Sequence, residues 1–331
     1  MTEGGELETG GLNMAMQHPT LRSIENPAMS LLRDAALVAR STAMRYPRAL
    51  AQSIRQTCVS ESTPRFHVDL RDVHGPVGGV WLGHATVLLR VGERWVLTDP
   101  VGSDRIGFKL GRVTLGMGRM MPTFDIASLP PIDIILISHA HFDHLDKPTL
   151  RALTSRTTHV VTSHLTRRLI PRGFAGVHEL HWDDELDLLG LKLRAMRPNH
   201  WGARYAFDKH RGFNSYLMET PDRRRVLYAG DTAFTDNYKD INGAELCVFG
   251  IGAYDPWVRV HATPEQVWQM HRQAGGKFLL PMHHSTFKLS DEPAGDPMRR
   301  LLAAAGEDHW QVVGRELGSP WTLPEALIQA M

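Results

Sequence analysis

Short apolar runs bounded by Gly, Pro, Asn and Asp set the pattern of this chain from about residue 80 onward. Runs of that length rich in β-branched residues predict strands, whereas recurrence near 3.6 residues predicts helices. Strands are expected at 80–82, 86–90 and 95–98, with a hairpin across Gly92-Glu93, and then at 133–138, 158–163, 177–180 and 191–198. A second hairpin, 215–219 with 226–229 across Asp222-Arg223, is followed by strands at 246–251 and 278–281. Helices are expected at 148–155, 165–172, 264–274 and 297–305, the third opened by Thr263-Pro264, and 311–313 reads as strand-like. Alternation of this kind predicts an α/β domain.

The flanking pattern differs. Residues 1–26 lack periodicity and read as a flexible tail. From Pro27 to Cys58, Leu31, Leu32, Ala35, Ala39 and Met44 recur at helical spacing, and Pro47 divides the helix. Arg33, Arg40, Arg45, Arg48 and Arg55 would suit a peripheral contact with anionic lipid, but they do not fall on one clean face, which favours a packed helical extension. Residues 101–122 are Gly- and Met-rich with interleaved Arg105, Lys109, Arg112 and Arg119, and read as a long loop fit for an acyl chain beside a phosphate.

Composition narrows the classes. The formal charge of +1 over 331 residues argues against a nucleic-acid partner held by bulk electrostatics. Two cysteines, Cys58 and Cys247, form no disulfide framework, so a reducing cytoplasm is the simpler expectation. No apolar run approaches spanning length. The chemistry gathers where the 133–138 strand stops, in Ser138-His139-Ala-His141-Phe-Asp143-His144. Three imidazoles and a carboxylate on a turn suit a cation that takes N and O donors, and the absence of thiolates argues against a structural zinc finger. The competing reading is a set of polar turn residues capping the next helix.

His139-x-His141-x-Asp143-His144 resembles the H-x-H-x-D-H signature of the metallo-β-lactamase superfamily. Trp81-Leu-Gly-His84-Ala-Thr86, Thr98-Asp99-Pro100, Leu129-Pro-Pro-Ile-Asp133 and Ile251-Gly-Ala-Tyr254 resemble the branch holding N-acyl-phosphatidylethanolamine phospholipase D and, more distantly, L-ascorbate-6-phosphate lactonase. The similarity runs collinearly from about Gly79 to Leu289. It implies a four-layer αββα sandwich over 76–331, with 1–75 as tail and helical extension.

The resemblance also implies a ligand set. His139, His141 and His200 would hold one divalent metal ion, Asp143, His144 and His283 a second, and Asp231 would bridge them. Of the adjacent pair His283-His284, alignment of Thr286-Phe287 selects His283, consistent with one of two neighbouring side chains facing a site. His84 and Asp99 would line its floor as supports. His261 would carry an acid or transition-state role, against a plain capping or hydrogen-bonding role. Zinc fits the N/O donors, as iron or manganese would. A water shared by two such ions has its pKa drawn from 15.7 toward about 7, giving a hydroxide nucleophile. The implied activity is a phosphodiesterase of phospholipase D type acting on a small-molecule or phospholipid-like substrate, with a lactonase or carboxylic-ester hydrolase as the alternative. A non-catalytic metal-binding protein is a third reading, disfavoured because every expected ligand is present.

Overall fold

The computed structural model describes residues 62–110, 113–205 and 207–324, so the expected tail and helical extension at 1–58 lie outside the described residues. In chain order the strands begin with β1 (Arg65–Phe66), β2 (Val77–Gly83), β3 (Thr86–Val91), β4 (Arg94–Thr98), β5 (Arg105–Leu110), β6 (Val113–Gly118), β7 (Thr123–Phe124) and β8 (Ile134–Ile137). Helix α1 (Lys147–Ala152) leads into β9 (His159–Ser163), β10 (Gly176–Leu180), β11 (Glu185–Leu188), β12 (Leu191–Met196), β13 (Ser215–Glu219), β14 (Arg225–Tyr228) and β15 (Ala244–Gly250). Helix α2 (Pro264–Gln273), β16 (Gly276–Met282), α3 (Asp296–Ala305) and β17 (Pro320–Thr322) complete the order.

Two mixed sheets result, one of seven strands in the order β10-β9-β8-β4-β3-β2-β17 and one of six in the order β11 to β16. Strand alternation explains why they stack. Within β8, Ile134 and Leu136 enter a core shared with Tyr216, Val226, Tyr228 and Leu280 of the other sheet, whereas Ile135 and Ile137 face Leu145 and Leu150 around α1. In β15, Leu246 and Val248 join the shared core, while Cys247 and Phe249 pack with Val267 and Met270 of α2 and Leu301 of α3. Strands apolar on both faces need cover on both, and the four-layer αββα sandwich supplies it.

Three local expectations are corrected. Residues 101–122 are not a loop: β5 and β6 form an antiparallel hairpin. Its facing pair Gly107 and Gly116 dilutes the alternation, and a Cβ on Gly107 would lie 2.8 Å from the Gly116 Cα. The expected helix at 165–172 shrinks to a 3-10 turn, Arg167–Leu169, because Pro171 cannot continue it. Residues 311–313 contribute only a bridge from Val312 to Leu279, after the 3-10 turn Gly306–Gln311, and the last strand is instead β17.

Candidate metal centre

One edge of the sandwich collects the chemistry. Strands β2, β4 and β8 run parallel in the first sheet, β12, β14 and β16 in the second, and their C-terminal ends release His84, Asp99, His139, His200, Asp231 and His283 in turn. Open α/β sheets place their chemistry at such ends. Gly230 permits the β14 exit, since a Cβ there would lie 2.8 Å from the Ser138 Cβ and its φ is +60°.

The side chains converge on Asp231. Its Oδ2 lies 3.0 Å from His144 Nε2, 3.2 Å from His283 Nε2, 3.8 Å from His200 Nε2 and 3.9 Å from His139 Nε2. Donor atoms of His139, His141 and His200 form one group within 4.8 Å of one another. Those of Asp143, His144 and His283 form a second, which also includes His84. Within the second, Asp143 Oδ2 is 2.9 Å from His84 Nε2, 3.5 Å from His283 Nε2 and 3.6 Å from His144 Nε2. His261 sits at the rim, partly exposed, with Nδ1 3.9 Å from Asp231 Oδ2 and its ring stacked on His283. His284 turns away and stacks on Trp81 at 4.6 Å.

Supports fix which nitrogen faces inward. Asp99 Oδ2 accepts from His144 Nδ1 at 2.6 Å and from the Tyr228 hydroxyl at 2.6 Å, and Asp99 also takes the Ser138 amide at 2.7 Å and the Ser138 hydroxyl. His144 Nδ1 is therefore the donor to Asp99, which leaves Nε2 as the nitrogen that faces Asp231 and His283. His200 Nδ1 donates to the Val260 carbonyl at 2.9 Å in the same way. Ligating imidazoles are oriented by such partners. His84, Asp99 and His283 all adopt positive φ, at 53°, 32° and 60°, which costs energy for residues with a Cβ.

The electrostatics fit cations. Burial and the neighbouring imidazoles strip protons from His139, His141 and His200, whose pKa values all fall below the ordinary histidine value. Burial also opposes a charged His144, but the carboxylates of Asp231, Asp143 and Asp99 outweigh it and hold its pKa well above the ordinary value. Desolvation would raise Asp231, yet His144 and His283 keep it well below the usual carboxylate range. Two buried atoms at the centre, His200 Nε2 and Asp231 Oδ1, have no hydrogen-bond partner. Such orphans are costly unless something binds them, and divalent ions match a set of imidazole and carboxylate donors.

The sequence missed Arg204. Arg204 lies in a basic loop after His200 that could face a substrate phosphate or solvent by sequence, and its guanidinium bonds the carbonyls of Ala140 and Leu145. Charge alone gives no direction, so only the fold could show this. Tyr228 was likewise invisible as anything but a strand residue.

Known proteins resemble this chain in sequence and fold. The β-lactamase superfamily domain family model matches residues 94–284. An uncharacterized protein of Mycobacterium tuberculosis is 32% identical over 244 residues, which cover 69% of this chain and 64% of the relative. The match thus spans less than two thirds of that relative's length. N-acyl-phosphatidylethanolamine-hydrolyzing phospholipase D 1 of Caenorhabditis elegans is 27% identical over 275 residues, 74% of this chain and 76% of that protein. Among solved structures, a metallo hydrolase from the archaeon Ignicoccus hospitalis superposes with a TM-score of 0.54 at 19% identity, over 74% of this chain and 97% of its own.

Proposed function

The chain belongs to the β-lactamase superfamily, and from that premise we propose that this metal-dependent hydrolase holds two divalent cations, zinc by preference, and cleaves phosphodiesters in the manner of a phospholipase D. His139, His141 and His200 would hold one ion, Asp143, His144 and His283 the other, and Asp231 would reach both. When bound, the ions supply Lewis acidity, acidifying water and stabilising a developing oxyanion. Asp99 and the Val260 carbonyl take the outward Nδ1 protons of His144 and His200, so that Nε2 of each ring is the nitrogen turned toward the ions. His261, at the rim beside Asp231, is held neutral by burial and is placed to donate a hydrogen bond to charge developing on a departing oxygen.

The observation that carries the substrate reading is the mouth of the site. Phe207, Met120, Phe108 and Trp201 are 82%, 54%, 51% and 43% exposed. Trp201 packs edge-on to His141, and Phe207 and Phe108 both contact Tyr205, which contacts Phe142 of the ligand turn. Exposed aromatics grouped at an opening are unusual on a soluble surface and suit an amphipathic substrate or a peripheral lipid contact. No helix among the described residues is long and apolar enough to cross a membrane. The phospholipase D named above supports the same substrate class. The alternative on the same centre is a lactonase or carboxylic-ester hydrolase.

The test is turnover by the zinc-loaded full chain of bis(p-nitrophenyl) phosphate, of N-acyl-phosphatidylethanolamine in mixed micelles, and of acyl-homoserine lactones. Phosphodiester cleavage is expected. Turnover of lactones alone would replace this reading with the alternative, and turnover of none would favour a non-catalytic metal-binding protein.

A further inference from the structure

The turn that carries four of the cluster's side chains, 139–144, is too short to fix its own shape. Its internal bonds are those of a single turn, with the His141 carbonyl accepting from the His144 amide at 3.2 Å and the Leu145 amide at 2.9 Å. That leaves the carbonyls of Ala140 and Leu145, two fully buried residues on either side of His141, Asp143 and His144, in need of donors. Both are met by one atom. Arg204 Nη1 donates to Ala140 O at 3.0 Å and to Leu145 O at 2.9 Å, and its guanidinium lies 4.1 Å over the Phe142 ring.

Arg204 is itself held in place. The buried Asp208 takes the amides of Arg204 and Tyr205 on Oδ1, at 2.8 and 2.7 Å, and Arg211 Nε on Oδ2 at 2.6 Å. The loop that begins at His200 and presents Trp201 and Phe207 therefore returns a cation into the turn of the first sheet. A guanidinium can serve two carbonyls and a ring face together because it is planar and multidentate, whereas an ammonium is a point charge.

We infer that Arg204 is a positioning residue for the cation-binding turn: its guanidinium fixes the 140–145 backbone and so holds His141, Asp143 and His144 in register with His200 and Asp231. The inference rests on the cation-binding reading above. It makes the aromatic mouth and the metal turn one mechanical unit, so disturbing either end disturbs the ligands.

The experiment uses the full chain carrying Arg204→Met, Arg204→Lys or, at the anchor, Asp208→Asn. Zinc affinity is measured by chelator competition, and ligand geometry by the visible spectrum of the cobalt-substituted protein. Changes to partners of metal ligands typically cost 10–100-fold in affinity, so both Arg204 variants should fall by about that factor with altered cobalt bands. Asp208→Asn should shift both readouts in the same direction by less. A merely structural role would lower the melting temperature without moving affinity or spectrum, and that result in Arg204→Lys or Arg204→Met would overturn the inference. If Arg204→Met does not fold, Arg204→Lys and Asp208→Asn decide the matter on the same criteria. Wild-type protein that binds no zinc at all would instead overturn the cation reading beneath it.

Discussion

Asp99→Asn changes one oxygen to an amide and should cripple half of the centre. The Asp99 carboxylate takes four hydrogen bonds, from the His144 ring at 2.6 Å, the Tyr228 hydroxyl at 2.6 Å, the Ser138 amide at 2.7 Å and the Ser138 hydroxyl. An asparagine can keep its oxygen on the Ser138 amide, but its NH₂ then faces His144 Nδ1–H. His144 can escape that clash by moving its proton to Nε2, the nitrogen now 3.0 Å from Asp231 and 3.2 Å from His283. The lone pair that faced the cluster is lost. A hydrogen bond to a charged group is worth about 1.5–3 kcal/mol, and at about 1.4 kcal/mol per decade that predicts roughly 10–100-fold weaker binding of the cation at Asp143, His144 and His283. Chelator titration of the zinc-loaded variant should show one release step shifted by that factor and the step belonging to His139, His141 and His200 nearly unmoved. Two unmoved steps would refute the reasoning, because the Asp99 contact would then not determine the His144 tautomer.

Other consequences can be measured separately. Asp231→Ala removes the carboxylate at the centre of both groups, so it should abolish most hydrolysis and reduce bound metal by one equivalent while far-UV circular dichroism stays unchanged; full activity with two metals would contradict its central place. Phe207→Ser removes an 82% exposed ring and should raise KM for a micellar phospholipid severalfold while leaving bis(p-nitrophenyl) phosphate untouched, a difference read directly from paired kinetics. His271, far from the cluster, donates to Gln311 at 3.3 Å and is pushed down to about 4 by burial. It stays neutral in the fold while the unfolded chain takes up a proton below about pH 6.5. Its contribution is thus whole above pH 6.5 and is lost as pH falls toward 4, on the order of 3 kcal/mol at about 1.4 kcal/mol per pKa unit. His271→Leu should flatten the pH dependence of the melting temperature between pH 7.5 and 5 relative to wild type, and an unchanged slope would remove His271 as its source.

What could be read from the sequence followed from how strands end. Ser138, Pro198, Ala229 and Met282 each close or adjoin an apolar run, and the ligand residues next to them stand out because few roles other than chemistry place His and Asp there. The supports were harder. Asp99 and His84 owe their roles to left-handed backbone that no residue type announces, and His84 lies nearer Asp143 than a floor residue need be. Arg204 was hidden among Lys209, His210 and Arg211, since a basic loop looks the same whether its charges face water or a buried carbonyl. The β5–β6 hairpin escaped because its paired glycines carry no side chains to alternate.

The account stands on two cations sharing Asp231. Anomalous diffraction at the zinc edge from crystals of active, zinc-loaded protein tests this most directly. Two peaks roughly 3.5–4 Å apart are predicted, one bonded to His139, His141 and His200, the other to Asp143, His144 and His283, each with an Asp231 oxygen. Active protein without metal, or peaks remote from this cluster, would contradict it.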